Sequence, residues 1–108
     1  MPLCHLVTFT FKARTPAGAI AELGAALDGL SMRAGAISYA HGQDLKIRPG
    51  NADYAVTAIF HDEAAFGAYI TSPEHLRIVD ELVTPHLQSR SAVQFSIDDE
   101  ACLQSFVR

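Results

Sequence analysis

Two stretches of strict alternation decide most of what this chain can fold into. His5, Val7, Phe9 and Phe11 alternate with Leu6, Thr8 and Thr10, and Tyr54, Val56, Ala58 and Phe60 alternate with Ala55, Thr57 and Ile59. A period of two sorts each set onto one face of a strand. The more apolar faces then need a cover, and the intervening sequence supplies it. Thr15-Pro16 offers a helix N-cap and a first-turn proline, after which Ile20, Leu23, Leu27 and Leu30 recur at helical spacing up to about Met32. A second strand is expected over 36–41, ending at Gly42, with a loop over 43–51 that carries Lys46, Arg48 and the turn Pro49-Gly50-Asn51. The third strand is expected over 52–60.

Beyond it the helical period returns in two pieces. Asp62 can cap a short helix in which Phe66, Tyr69 and Ile70 share a face, and Ser72-Pro73 restarts it. His75, Ile78, Val79, Leu82 and His86 fall along one stripe of the new helix, which should end near Pro85 because proline disfavours helix in the residue before it. A fourth strand over 92–97 alternates Val93, Phe95 and Ile97 with Gln94 and Ser96. Asp98-Asp99-Glu100 then opens a tail with apolar Leu103, Phe106 and Val107, so the chain is read as one domain over 1–98 and an extension over 99–108.

The order strand, helix, strand, strand, broken helix, strand predicts an α+β, ferredoxin-like βαββαβ fold: a four-stranded antiparallel sheet with the helices on one side. The opposite face, read as Leu6, Thr8, Thr10, Ala55, Thr57, Ile59, Gln94 and Ser96, is small, β-branched or neutral where a solvated face carries Lys and Glu. Such a face suits burial against a twin sheet across a two-fold axis, giving a homodimeric α+β barrel.

Composition narrows the function classes. At 108 residues the chain can bury about 65% of its extended surface, enough for one core. Twelve acidic against eight basic residues, with the basic ones scattered, give no electrostatic footprint for nucleic acid. No apolar run approaches the roughly 18 residues a membrane span requires, and the start Met1-Pro2-Leu3-Cys4-His5 lacks the pattern of a signal peptide, so a cytoplasmic location is expected. Cys4 and Cys102 have no metal-ligand spacing and are read as reduced thiols.

One constellation carries chemistry. His5 and Tyr54 should point from the sheet, and Tyr69 and His75 from the broken helix, into a single apolar space. A buried histidine costs free energy unless its ring nitrogens find partners. Histidine titrates near pH 6.5, which suits a general base that removes an acidic proton between two carbonyls, while a tyrosine hydroxyl can donate to the developing enolate. That step needs no metal or cofactor. The plainer readings make His5 a strand histidine bonded to backbone, Tyr39 and Tyr54 core aromatics, His41 and His61 solvated, and Lys46 and Arg48 a solvated loop.

The residues at these positions resemble a known family. His5-Leu-Val-Thr-Phe-Thr-Phe-Lys12, the turn Gly42-Gln-Asp44, Ala52-Asp-Tyr-Ala-Val-Thr-Ala-Ile-Phe60 and Ala68-Tyr-Ile-Thr-Ser-Pro-Glu-His75 together resemble the stress-responsive A/B barrel (Dabb) domain over about residues 3–97. The resemblance implies the fold above, paired through its sheets. The family includes plant stress-responsive dimers and a cofactor-free polyketide cyclase, olivetolic acid cyclase. Its catalytic tyrosine and histidine correspond to Tyr69 and His75, a second pocket histidine to His5, and a third falls at Tyr54. Most members have His where Ser72 stands. The implied pocket between sheet and helices is lined by His5, Val7, Phe9, Tyr39, Tyr54 and Val56 with Ile70, Ile78 and His86. Its implied ligand is a small apolar or phenolic compound, handled by cyclisation or isomerisation. Two other readings stay open: a non-catalytic stress-associated or ligand-binding dimer, and a haem-handling or monooxygenase relative.

Overall fold

In the computed structural model, which describes residues 1–97, strand β1 (Leu3–Phe11) lies between two antiparallel neighbours, and every other element is placed by it. Helix α1 (Ala17–Ser31) leads to β2 (Ser38–Gln43) and β3 (Tyr54–Phe60). Helices α2 (Glu63–Ile70) and α3 (Pro73–Ile78) follow, continued by a π-helical turn over Val79–Val83 and a 3₁₀ turn over Thr84–His86, before β4 (Leu87–Ser96) closes the sheet. The strand order is β2-β3-β1-β4, the ferredoxin-like antiparallel arrangement.

The helices cover the face expected of them. Val7, Phe9, Phe11, Tyr54, Val56, Ala58 and Phe60 pack with Leu23, Leu27 and Leu30 of α1, Tyr69 of α2 and Ile78 of α3 in one core. Phe60, wholly buried, sits at its centre with the Phe66 and Tyr69 rings 5.6 and 5.1 Å away. Burying such a ring contributes about 1.5–3 kcal/mol. On the opposite face Cys4, Ile59 and Ile97 form a small second cluster, with Cys4 Sγ 3.7 Å from Thr57 Oγ1.

Both caps of the broken helix form. Asp62 Oδ1 accepts from the Ala65 amide at 2.8 Å, and Ser72 Oγ accepts from the His75 amide at 3.2 Å. Thr15 does not cap α1. Its hydroxyl donates back to the Lys12 carbonyl at 2.6 Å, closing the turn before the helix, and Pro16 holds the cap position with no side-chain bond. The last helix also differs from expectation, ending as α-helix at Ile78, well before Pro85. There the ladder widens, so that the Thr84 amide and its hydroxyl, at 2.9 Å, both reach the Val79 carbonyl five residues back. β2 lies two residues later than expected, and β4 starts at Leu87 rather than near Ala92.

The face assigned to β4 is corrected by its register. His5 stands opposite Gln94 and Leu3 opposite Ser96, which puts Gln94 and Ser96 on the helix side. Leu6 pairs with Val93 and Cys4 with Phe95, so the outer face carries apolar Val93 and Phe95 instead. With Leu6, these large side chains are 36–49% exposed. The division at residue 98, Cys102 and the apolar tail positions lie outside the described residues.

The Ser72 cap gives a measurable expectation. Ser72→Ala should lower unfolding free energy by about 1 kcal/mol in urea denaturation, because the His75 amide loses its acceptor at the helix start. An unchanged midpoint would show that water replaces the cap at no cost.

Candidate functional site

Between β1, β4 and the second half of the helical layer lies a cleft of about 420 Å³, in the range of roughly 300–1,000 Å³ typical of small-molecule sites. The sheet gives it His5, Val7 and Phe9 from β1 and Leu87, Arg90 and Gln94 from β4. Phe66 and Ile70 of α2, His75 of α3, Val79 and Val83 of the widened turn and Thr84 of the 3₁₀ turn complete the wall. π-helical turns of this kind recur at functional sites.

The polar groups here are few. His5 is buried and accepts a hydrogen bond at Nδ1 from the Gln94 side-chain amide at 2.9 Å. Its ring lies 4.9 Å from Phe66 and 6.2 Å from Tyr69. Tyr69 in turn packs against the His75 ring at 4.8 Å. His75 Nδ1 is buried with no aligned hydrogen-bond partner, the one such side-chain atom among the described residues. Burial pushes the His75 pKa below the usual histidine range; the Ile70 carbonyl opposes that shift and the nearby Arg90 charge adds to it. Burial likewise lowers His5, followed by the fields of His75 and Arg90. Both rings are therefore neutral at pH 7, the form that can accept a proton.

The Tyr69 hydroxyl shares a hydrogen bond with the Tyr39 hydroxyl, at 2.8 Å. Burial raises the pKa of both tyrosines; the shared bond raises Tyr39 further and counteracts the rise in Tyr69. With Tyr39 as donor, the Tyr69 hydroxyl keeps its own proton for a second acceptor.

Of the residues singled out from sequence, the structure brings His5, Val7, Phe9, Ile70 and His75 together on the cleft wall. Tyr69, Tyr39, Val56 and Ile78 pack in the core beside it. Tyr54 belongs to a different network: its hydroxyl donates to His41 Nδ1 at 2.7 Å, and His41 Nε2 donates to Asp28 Oδ1 at 2.7 Å. Gly24 of α1 allows that approach, since a Cβ there would come 3.3 Å from the Tyr54 hydroxyl. His41 is thus half-buried and bonded on both sides, not solvated. His86 lies in the 3₁₀ turn, where its carbonyl accepts from the Lys12 amide at 2.8 Å. Sequence reasoning missed Arg90 and Gln94. The signal is there, since two polar residues at even spacing on one strand share a face, but the expected strand starts too late to include Arg90. Among the described residues, no group of three His, Cys, Asp or Glu side chains comes together to hold a metal, and no helix is long and apolar enough to cross a membrane.

Comparison with known families decides the lineage: the stress responsive A/B barrel domain matches residues 3–97. The chain belongs to this family. Among solved structures, this A/B barrel domain is similar to a dimeric ferredoxin-like protein of unknown function from Thermobifida fusca, at 31% identity over 90% of this chain and 92% of that one, with a TM-score of 0.84. A dimeric ferredoxin-like protein from Jannaschia is 26% identical, covering 90% and 100% of the two chains, with a TM-score of 0.75. The hydroxynitrile lyase of Passiflora edulis shares the fold at 21% identity, 91% and 94% coverage and a TM-score of 0.77. No curated protein matches the chain.

The two lowered histidines set the pH response of the A/B barrel domain. Just below pH 6.5 the unfolded chain binds more protons at these positions than the folded one, so stability should fall as pH drops through that window and be fully present above it. Histidine NMR titration should place His5 and His75 below the ordinary value, and His75→Leu should shallow the acid loss of stability. Ordinary titration of both rings would contradict the burial seen here.

Proposed function

We propose that this A/B barrel domain is a homodimer whose cleft handles a small keto or phenolic compound by cofactor-free acid/base chemistry, with His75 as the base. The observation that carries this reading is the unpartnered His75 Nδ1 at an apolar cleft. A buried ring nitrogen with no aligned partner carries a cost that a purely apolar side chain at this place would avoid. In the proposed step the neutral imidazole takes a proton from a carbon next to a carbonyl. The C–H electron pair moves to the carbonyl oxygen as an enolate, and hydrogen-bond donors around the cleft stabilise it. Return of the proton at another carbon completes an isomerisation; attack of the enolate carbon on a second carbonyl of the same molecule, whose π pair moves to its oxygen and takes the proton back from His75, completes a cyclisation. Tyr69 holds the His75 ring and supplies a hydroxyl proton.

The similarity to the Passiflora edulis hydroxynitrile lyase supports the reading only in that chains of this fold include an enzyme. The satisfied pairs His5–Gln94 and Tyr39–Tyr69 favour a second reading, a non-catalytic ligand-binding dimer. For the dimer, support comes from the exposed outer face with Leu6, Val93 and Phe95 and from neighbours described as dimeric.

Two measurements test these proposals. Val93→Glu places a charge in the outer face, where desolvation without a partner costs several kcal/mol, so light scattering should show a dimer for the unaltered chain and a monomer for the variant. A monomeric unaltered chain at micromolar concentration would remove the first proposal. Against a panel of β-keto thioesters, phenolic acids and lactones, His75→Leu should abolish turnover while the Tm stays equal or rises, and Tyr69→Phe should keep the fold with weaker activity. The non-catalytic reading expects no turnover at all and a loss of about 1–3 kcal/mol from each substitution.

A further inference from the structure

Arg90 is the one charged side chain on the wall of the cleft among the described residues, and nothing in the proton-transfer reading uses it. Its place follows from register. Arg90 stands opposite Phe9 on β1, so it shares the helix side of the sheet with Phe9 and His5, whereas Ser89 and Ser91 turn outward. A guanidinium stays protonated at any physiological pH. The ion pairs among the described residues are Arg33–Glu74 and Arg77–Glu81, Asp28 is held by His41, and none of these contacts includes Arg90. No described Asp or Glu lines the cleft either. The result is a permanent cation beside two histidines held neutral, on an otherwise largely apolar wall. Arg90 is exposed, so its guanidinium is open to an anion that arrives from solvent.

We propose that the cleft takes a small organic acid, with its carboxylate paired to Arg90 and its apolar or aromatic body against Val7, Phe9 and Ile70. The planar guanidinium fork matches a carboxylate in two parallel hydrogen bonds, and a single negative charge neutralises it without demanding a charge on either histidine. The carboxylate then fixes which carbon lies beneath His75. This assignment rests on reading the cleft as a small-molecule site, and it names the substrate class for that site.

The full chain, labelled with ¹⁵N, is titrated by NMR with 3-phenylpropanoate, 4-hydroxyphenylacetate and octanoate, and with the methyl ester of each. At least one acid should shift the resonances of the cleft residues, its ester should bind at least tenfold more weakly, and Arg90→Gln should weaken the acid by the same factor while Arg90→Lys retains part of it. If Arg90→Gln does not fold, the acid-to-ester ratio on the unaltered chain decides alone. Equal binding of acid and ester, or acid binding indifferent to Arg90→Gln, overturns the inference and leaves the small-molecule reading intact. Turnover of neutral β-keto N-acetylcysteamine thioesters while no acid binds overturns it in the same way. No binding and no turnover with any compound overturns both.

Discussion

The double pairing of β1 is the constraint on which the remaining structure depends. Each residue from Leu3 to Phe9 has one partner on β3 and one on β4, so the sheet has a single register across three strands. A slip of one residue would move His5, Val7, Phe9 and Phe11 off the core, exposing four large side chains and burying threonines. This register also assembles the site, because it sets Gln94 beside His5 and Arg90 beside Phe9. The catalytic candidates on the helical layer are positioned by other means. They depend on two capped starts, at Asp62 and Ser72, and on the widened turn that follows.

What holds the helical layer over the sheet is mostly aromatic contact with a few polar ties. His5, Phe66, Phe60, Tyr69 and His75 form a continuous run of rings with centroid separations from 4.8 to 5.6 Å. Edge-on and tilted pairs of this kind add about 0.5–1.5 kcal/mol each beyond area burial. At one end of the sheet, Asp28, His41 and Tyr54 tie α1 to β2 and β3. The bidentate Arg33–Glu74 pair links the end of α1 to α3 at the surface, where its contribution is small.

Much of this is legible in the sequence, and the main failure has a physical cause. β1 and β3 read correctly because nearly every second residue, on the buried face, is apolar. The caps Asp62 and Ser72 read correctly because cap chemistry is local. β4 misleads on its face because its amphipathicity is inverted: its helix side carries Arg90, Ala92, Gln94 and Ser96, and its outer side Val93 and Phe95. The helix side is polar where it walls the cleft, and the outer side is apolar where no described part of the chain covers it. Pattern reading assumes that apolar means inward, and it fails where a site opens or a face waits for a cover. Thr15 misleads differently. A threonine before proline satisfies the cap pattern equally well when its hydroxyl closes the preceding turn. No sequence signal separates Tyr54 from the cleft group, since its assignment depends on which neighbour its hydroxyl reaches across β2.

The electrostatics of the cleft then follow from geometry rather than from any single residue. Burial is the largest cause lowering both histidines, and Arg90, facing them across the same space, reinforces the neutral form of each. A carboxylate beside these rings would have the opposite effect, raising their proton affinity. A cleft wall whose described residues include one fixed cation and no acidic side chain therefore acts in a single direction. It keeps the imidazoles uncharged at neutral pH, and among the described residues it leaves the guanidinium without an acidic partner. An anion seated on Arg90 would cancel part of its field and raise the proton affinity of His75, strengthening the base when the molecule it acts on is in place.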